Sequence, residues 1–187
     1  MRLWIARHAR PLVAPGICYG SSDVKADEQG TLDTAHRLAL SLPEHFPVFC
    51  SPLTRCLQLA DALAALRPDL LVVHDTRLRE MDFGHWEGHA WADIPQAAMA
   101  AWTDDFNDHR FGGAESVREL MQRVGACLSD TRRTVEDSTH QESLWISHAG
   151  VARAASLLAQ GIEVLQKAEQ WPKEAPDFGQ AMTLRFQ

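Results

Sequence analysis

The sequence lacks the features that mark secreted, membrane-bound and metal-binding chains. Only four of its 187 residues are cysteines, and no C-x-x-C pair occurs. No apolar run approaches the roughly 20 residues that a membrane span needs, and the N-terminus has no basic start followed by an apolar stretch. We therefore expect a cytoplasmic protein with buried, reduced thiols and no membrane partner.

An excess of positive charge is also missing. The chain has 18 basic and 25 acidic residues, so a surface that binds nucleic acid would act against the overall field. Nine basic and nine acidic residues occur through Glu80, against nine and sixteen after it. We expect no nucleic-acid partner, and the first part of the chain is the better place for an anion site.

The remaining composition is typical of one globular domain. With 45% hydrophobic and 23% charged residues, a chain of this length can bury a single core. Neither an internal repeat nor a low-complexity tract interrupts the sequence. The prediction is one domain over residues 1–187, and the sequence leaves the oligomeric state open.

Short apolar runs alternate with stretches of helical periodicity. Strands are predicted at residues 2–7, 47–51, 70–75, 143–147 and 181–186, and helices at 30–42, 52–66, 93–106, from 117 onward, and 151–160. Ser51 and Pro52 are expected to start the second helix, a capping box at 116–119 precedes the fourth, and residues 76–92 are predicted to be an ordered loop. This alternation favours an α/β fold, a three-layer α/β/α sandwich with a mostly parallel central sheet.

Histidine, arginine and glutamate side chains follow the predicted strands. Arg7 and His8 close the first strand, and Arg55 comes shortly after the second. Glu80 follows the third strand and His148 the fourth. Because ligands of open parallel sheets bind beyond the carboxyl ends of the strands, we expect these five residues to converge on one crevice.

A crevice of this composition suits an anionic electrophile. Neutral imidazole is a nucleophile, and neighbouring arginines disfavour its protonation. A phosphoryl group spreads charge over three oxygens, which Arg7, Arg55 and the N-terminus of the second helix are placed to bind. His8 is then the candidate nucleophile, and Glu80 the candidate proton donor, with Asp82 as its competitor. The expected partner is a small phosphorylated metabolite.

Two other classes of protein stay open on the residues alone. His8, Glu80, Asp82, His85 and His148 are all side chains that can bind a metal, as in a metallohydrolase. No H-E-x-x-H spacing occurs, however, and arginines would repel a cation. The third class is a phospho-ligand binding module without catalysis, which needs no proton donor. We expect no metal and no cofactor.

Four motifs in a fixed order resemble a known family. They are Arg7-His8 after the first strand, Ser51-Pro-Leu-Thr-Arg55, Leu78-Arg-Glu80-Met-Asp-Phe-Gly84 followed by Trp86-Glu-Gly88, and Ser147-His148-Ala-Gly-Val-Ala-Arg153. Together they resemble the histidine phosphatase superfamily, whose fold is phosphoglycerate mutase-like. The resemblance implies a phosphomonoesterase with a phosphohistidine on His8, phosphate binding by Arg7, Arg55 and His148, and Glu80 as acid and then base.

Within that family, residues 14–24 and 111–116 are most similar to the α-ribazole phosphatase branch of cobalamin biosynthesis. The resemblance implies α-ribazole 5′-phosphate as the substrate, with a broad small-molecule phosphatase or a phosphoglycerate mutase-like enzyme as alternatives. Substrate contacts are expected from Tyr19, Trp86 and Ser22, although Ser22 fits a turn equally well. Trp102 is a further candidate for this surface, with a place in the core as the favoured alternative.

Two features of the sequence leave questions open. Ala9 stands where the family usually has a glycine after the histidine, so a close backbone approach at this position is lost or adjusted. Residues 163–179, which include Trp171, Pro172 and Pro176, fit either a flap over the substrate or a surface loop.

Overall fold

A computed structural model describes residues 1–136 and 141–186. Its helices and strands are, in chain order, β1 (Arg2–Arg7), α1 (Glu28–Ser41), β2 (Val48–Cys50), α2 (Thr54–Leu66), β3 (Val72–His74), α3 (Gln96–Asp104), α4 (Val117–Glu136), β4 (Glu142–Ser147), α5 (Ala149–Ala159) and β5 (Ala181–Arg185). Three short 3₁₀ helices lie between Thr76 and Asp93, in the predicted ordered loop and at its end. None of the helices in the two described ranges is long and apolar enough to cross a membrane.

The five strands form one sheet in the order β3-β2-β4-β1-β5. The ladders between β3, β2, β4 and β1 are parallel, and β5 runs antiparallel to β1. The predicted α/β class with a mostly parallel central sheet is therefore confirmed.

Successive side chains of the central strands enter two different cores. In β1, Leu3 and Ile5 belong to one buried cluster and Ala6 to the other, and β4 divides Trp145 and Ile146 in the same way. Helices α4 and α5 complete the first cluster, whereas α1 and α2 complete the second. The two-residue period of the strands thus produces the three layers.

The start of α2 differs from the prediction. The helix begins at Thr54 instead of Pro52, and its N-cap residue Leu53 makes no side-chain cap bond. The backbone N–H of Thr54 donates to a carboxylate oxygen of Asp23 at 2.6 Å. The N-terminus expected to add positive charge at an anion site is therefore already occupied by a carboxylate of the chain.

Two local predictions are confirmed. The capping box before α4 is present: the Ser116 N–H donates to the Glu119 carboxylate at 2.9 Å, and the Glu119 N–H donates to the Ser116 hydroxyl at 3.3 Å. The four cysteines are all buried and free. Burial raises the pKa of the Cys56 thiol to about 12, so this thiol stays protonated at neutral pH.

The carboxyl ends of β1, β2 and β4 meet at one edge of the sheet. In the two ladders Arg7 lies opposite Ser147, and Cys50 opposite Ile146. Directly after these strand ends come His8, Ser51 and His148. The register thus brings two imidazoles and a hydroxyl together at this edge.

Candidate active site

The imidazole of His8 is buried, with 2% of the residue exposed. Its Nδ1 lies 2.7 Å from the carbonyl oxygen of Ala9, and its Nε2 lies 3.2 Å from Nε of Arg55. Because a carbonyl only accepts hydrogen bonds and a guanidinium only donates them, the ring carries its hydrogen on Nδ1 and a lone pair on Nε2. Residue 9 contributes its backbone carbonyl to this contact, so an alanine can replace the usual glycine here.

Both histidines of the site are held in the neutral form. Burial lowers the pKa of His8 to about 3, and the positive charge of Arg55 acts in the same direction. The pKa of His148 lies well below its ordinary value for the same two reasons, burial first and the Arg55 charge second. The centroids of the two rings are 5.1 Å apart. At neutral pH the site therefore contains two uncharged imidazoles.

His148 is oriented by Ser51. The Nε2 atom of the fully buried His148 lies 2.8 Å from the hydroxyl oxygen of Ser51, which also accepts the Leu53 N–H at 3.4 Å. Sequence reasoning places Ser51 at a helix cap and misses this contact. The position of Ser51 directly after β2, at the same sheet edge as His148, is the feature of the sequence that could have indicated this contact.

Arg55 is completely buried, and most of its hydrogen bonds hold a loop. Its Nη1 and Nη2 donate to the carbonyl oxygens of Ser22 and Gly20, each at 2.7 Å. Its Nε–H faces Nε2 of His8. The bidentate fork expected for phosphate is therefore engaged by the backbone, and Nε–H is the donor that faces the imidazole.

Arg7 lies against the segment whose role the sequence leaves open. Its guanidinium carbon is 3.8 Å from the ring centroid of Phe178, and its Nη1 donates to the carbonyl of Pro176 at 3.0 Å. The Phe178 ring centroid is itself 5.7 Å from that of His8. Residues 176–178 therefore pack on the site and do not form a detached surface loop.

The two candidate acids occupy different places. Glu80 lines an apolar cavity, and its Oε2 accepts the backbone N–H of Gly150 at 3.0 Å. Asp82 does not line that cavity, and its Oδ1 accepts the Gly84 N–H at 2.8 Å within a turn. The geometry favours Glu80 over Asp82 as the acid of the site.

Glu87 is a residue that sequence reasoning misses, although it belongs to the quoted Trp-Glu-Gly motif. Its carboxylate accepts the backbone N–H groups of Ser21, Ser22 and Phe83 at 2.8, 2.6 and 3.0 Å. The Ser22 hydroxyl is also bonded to this carboxylate. Ser22 therefore holds the loop in this structure, and a contact between Ser22 and substrate stays a prediction.

The cavity beside Glu80 and Arg7 has a volume of about 330 Å³. Six of its lining residues are aromatic: Tyr19, Phe83, Trp91, Trp102, Phe106 and Trp171. Arg153 also lines it and donates to the Lys173 carbonyl at 3.2 Å. Within the described ranges no carboxylate forms an ion pair with Arg153.

The two tryptophans considered for the substrate surface lie in different places. Trp86 lies outside the cavity lining, with its ring centroid 4.4 Å from that of His85 and 6.0 Å from that of Phe111, and a contact between Trp86 and substrate stays a prediction. Trp102 packs against the buried core cluster, as expected, and it also lines the cavity while it stacks on Phe111 at 4.4 Å. The difference arises because Trp86 ends a single 3₁₀ turn that directs its ring onto Phe111. Tyr19 lines the cavity, and a contact between Tyr19 and substrate stays a prediction.

The side chains that a metallohydrolase would need are not brought together. Over residues 1–136 and 141–186, no three histidine, cysteine, aspartate or glutamate side chains are grouped so that they could hold a metal ion. Among the candidate ligands, His85 is exposed beside Trp86 and Asp82 is engaged in a turn.

The arrangement suits the transfer of an anionic group from an alcohol. A neutral imidazole with its Nε2 lone pair faces Arg55, and the charge of Arg7 also acts on it. The Glu80 carboxyl group lines an apolar cavity that Arg7 lines as well. With this fold, such a site defines a phosphomonoester hydrolase. The family model described as histidine phosphatase superfamily (branch 1) matches residues 3–172, and the chain belongs to that superfamily.

Known relatives differ in the substrates for which they are named. A candidate phosphoserine phosphatase of Hydrogenobacter thermophilus is 30% identical over 166 residues, which cover 86% of this chain and 79% of that protein. An Escherichia coli protein described as a candidate α-ribazole-5′-P phosphatase matches with a TM-score of 0.76 at 26% identity, over 98% of this chain and 89% of that one. Mycobacterial glucosyl-3-phosphoglycerate phosphatase, at 22% identity, shares the fold with a TM-score of 0.80 over 97% of this chain and 88% of that one.

Lowering the pH is expected to destabilise the protein through His8 and His148. Because their pKa values in the folded state lie below the ordinary 6.5, the unfolded chain takes up protons first, and stability is lost as the pH falls below about 6.5. Each histidine contributes up to about 2 kcal/mol between about pH 6.5 and 5. Urea unfolding at both pH values measures the loss.

The variant His8→Asn should show a weaker pH dependence of its unfolding free energy than the parent. The matched control is His36→Asn, an exposed position on α1, which should retain the parental dependence. The same pH dependence in the parent and in His8→Asn would contradict the neutral-imidazole description.

Proposed function

We propose that the enzyme hydrolyses phosphomonoesters in two displacement steps at His8. In the first step the Nε2 lone pair attacks phosphorus, and the bond between phosphorus and the alcohol oxygen breaks. In the second step water attacks phosphorus, the N–P bond breaks and inorganic phosphate is released. The observation that carries this proposal is the hydrogen bond from Nδ1 to the Ala9 carbonyl, which leaves Nε2 as the attacking atom. No metal or cofactor takes part.

Negative charge on the transferred group is stabilised by three neighbours of His8. The Nε–H of Arg55 already points at Nε2, so it lies beside any phosphoryl group on that atom. Arg7 and the neutral His148 are the further proposed phosphate ligands. Arg7 can bind a phosphate oxygen without losing its bond to the Pro176 carbonyl, because that carbonyl engages Nη1 and the buried Nε has no hydrogen-bond partner among the described residues.

Glu80 is the proposed acid for the leaving group and then the base for water. It is the carboxylate that lines the aromatic cavity, which is the space left for the alcohol part of a substrate. The proton that Glu80 gives to the leaving oxygen in the first step returns to it from water in the second, so the protons balance. A binding module would not need a carboxyl group at this place.

For the alcohol we propose α-ribazole, released from its 5′-phosphate in cobalamin biosynthesis. Aromatic walls around about 330 Å³ suit the flat apolar base of such a nucleoside. The Escherichia coli relative supports the same substrate.

A second candidate substrate has a carboxylate, as phosphoserine does. Arg153 favours it, because this cavity-lining guanidinium lacks an ion-pair partner in the described part of the chain. The Hydrogenobacter relative points in the same direction.

Replacement of His8 is expected to abolish turnover. His8→Asn should leave a folded protein without measurable phosphatase activity, because an amide nitrogen has no lone pair with which to attack phosphorus. Rapid acid quench of the parent with ³²P-labelled substrate should trap a phosphoenzyme that is acid-labile and base-stable. Full activity in His8→Asn, or activity lost to chelators and restored by zinc, would rule out the covalent mechanism.

Replacement of Glu80 should depend on the leaving group. Glu80→Gln cannot donate a proton, so single-turnover cleavage of alkyl phosphates should slow by about 10²–10⁴-fold. An activated aryl phosphate leaves without that proton, so its cleavage should slow much less. Asp82→Asn is the matched control and should retain most of the activity on both. Equal losses on both substrates in Glu80→Gln would remove Glu80 as the acid.

The substrate is tested by comparing kcat/KM for α-ribazole 5′-phosphate, phosphoserine, 3-phosphoglycerate and p-nitrophenyl phosphate. If the cavity binds an aromatic nucleoside, α-ribazole 5′-phosphate should have the highest value, and Trp102→Ala should lower it more than Trp86→Ala does. A highest value for phosphoserine would favour the second candidate. Similar values for all four would indicate a broad small-molecule phosphatase.

A further inference from the structure

We propose that Gly150 is a positioning residue for the acid of the reaction. Because Gly150 has no side chain, the Glu80 carboxylate can lie against the first turn of α5. This inference rests on the proposed role of Glu80.

Both oxygens of the Glu80 carboxylate are held by backbone N–H groups. Oε2 accepts the N–H of Gly150 at 3.0 Å, and Oε1 accepts the N–H of Met81, also at 3.0 Å. One donor belongs to α5 and the other to the loop that carries Glu80 itself. The carboxylate is therefore fixed between two elements, at the edge of the cavity that receives the alcohol.

A methyl group at position 150 would take the place of this carboxylate. A Cβ built on the Gly150 backbone overlaps Oε1 of Glu80 and lies 3.2 Å from its Cδ. The backbone itself does not require a glycine, because Gly150 is a residue of α5 and does not have a positive φ. The requirement for glycine therefore comes from Glu80 and not from the helix.

The side chain of Glu80 is the part that has to move if a methyl group is added. Arg123 of α4 fixes the backbone of the loop: its Nη1 donates to the carbonyls of Arg77 and Arg79 at 2.6 Å each, and its Nη2 donates to that of Glu80 at 3.2 Å. The loop can therefore not retreat as a unit. A rotation of the Glu80 side chain relieves the overlap, and it carries the carboxyl group away from the Gly150 N–H.

Such a displacement should affect one chemical step more than the others. Proton transfer requires the carboxyl group to lie within hydrogen-bonding distance of the leaving oxygen. A misplacement of about 1 Å can lower the rate on the order of 10²-fold. Phosphate binding at His8, Arg7 and Arg55 does not depend on the space that a side chain at position 150 would fill. The protein should remain folded, because alanine is favoured over glycine in a helix.

The test is Gly150→Ala, with Gly125→Ala as its matched control. Gly125 is a helical glycine of α4 whose added Cβ would meet only the Leu158 methyl groups, at 3.9 Å. Single-turnover cleavage of an alkyl phosphate should fall on the order of 10²-fold in Gly150→Ala, whereas an activated aryl phosphate should lose much less. Gly125→Ala should match the parent on both substrates, and both variants should have a Tm at or above the parental value.

A double variant separates this proposal from the assignment of Glu80. In a Glu80→Gln background, Gly150→Ala should cause little further loss, since both changes remove the same proton transfer. If Glu80→Gln shows the leaving-group dependence but Gly150→Ala does not, the positioning role is wrong and the role of Glu80 stands. If Gly150→Ala slows both substrates equally or lowers the Tm, Gly150 is structural. If neither variant shows the dependence, the assignment of Glu80 itself fails.

Discussion

The site is organised around the buried guanidinium of Arg55. A charge taken out of water is costly unless hydrogen bonds replace its hydration, and the carbonyls of Gly20 and Ser22 provide them at 2.7 Å. No carboxylate among the described residues forms a direct ion pair with Arg55, and its positive charge acts on both His8 and His148. The charge adds to burial in keeping both imidazoles neutral. A protonated His8 would have no lone pair on Nε2, so the proposed nucleophile depends on this arrangement.

The loop that Arg55 requires also connects the cationic side of the site to its acidic side. Glu87 accepts N–H groups from Ser21 and Ser22 of that loop and from Phe83, three residues after Glu80. A Cβ at Gly20 would overlap the Met81 carbonyl oxygen, which shows how closely the two segments approach. The Glu87 carboxylate therefore links the two segments independently of the sheet. Although it does not line the aromatic cavity, Glu87 in this way helps to set the position of Arg55 relative to Glu80.

The sequence predicted the parts of the site that depend on the sheet. Alternating strands and helices imply a parallel sheet, and strand ends then place Arg7, His8 and His148 together without further information. A local signal in the sequence predicts a helix cap at Ser51, whereas the bond between Ser51 and His148 joins residues that are far apart along the chain. That Trp102 lines the cavity and Trp86 does not could not be predicted, because the direction of each ring depends on how residues 76–116 fold back on themselves. Periodicity contains no information on such a segment.

This division between sheet and loops also separates the chemistry from the choice of substrate. The two imidazoles belong to residues that directly follow β1 and β4. The aromatic walls of the cavity come from segments outside the sheet, including Trp91, Trp102 and Trp171. Substitutions in those segments can change the shape of the alcohol site while the register of the strands, and with it the pair of imidazoles, stays the same. One scaffold can in this way serve relatives named for phosphoserine and for α-ribazole-5′-P. Substrate specificity in this chain is therefore to be sought in the packing of its tryptophans, and the reaction type in the residues that follow β1 and β4.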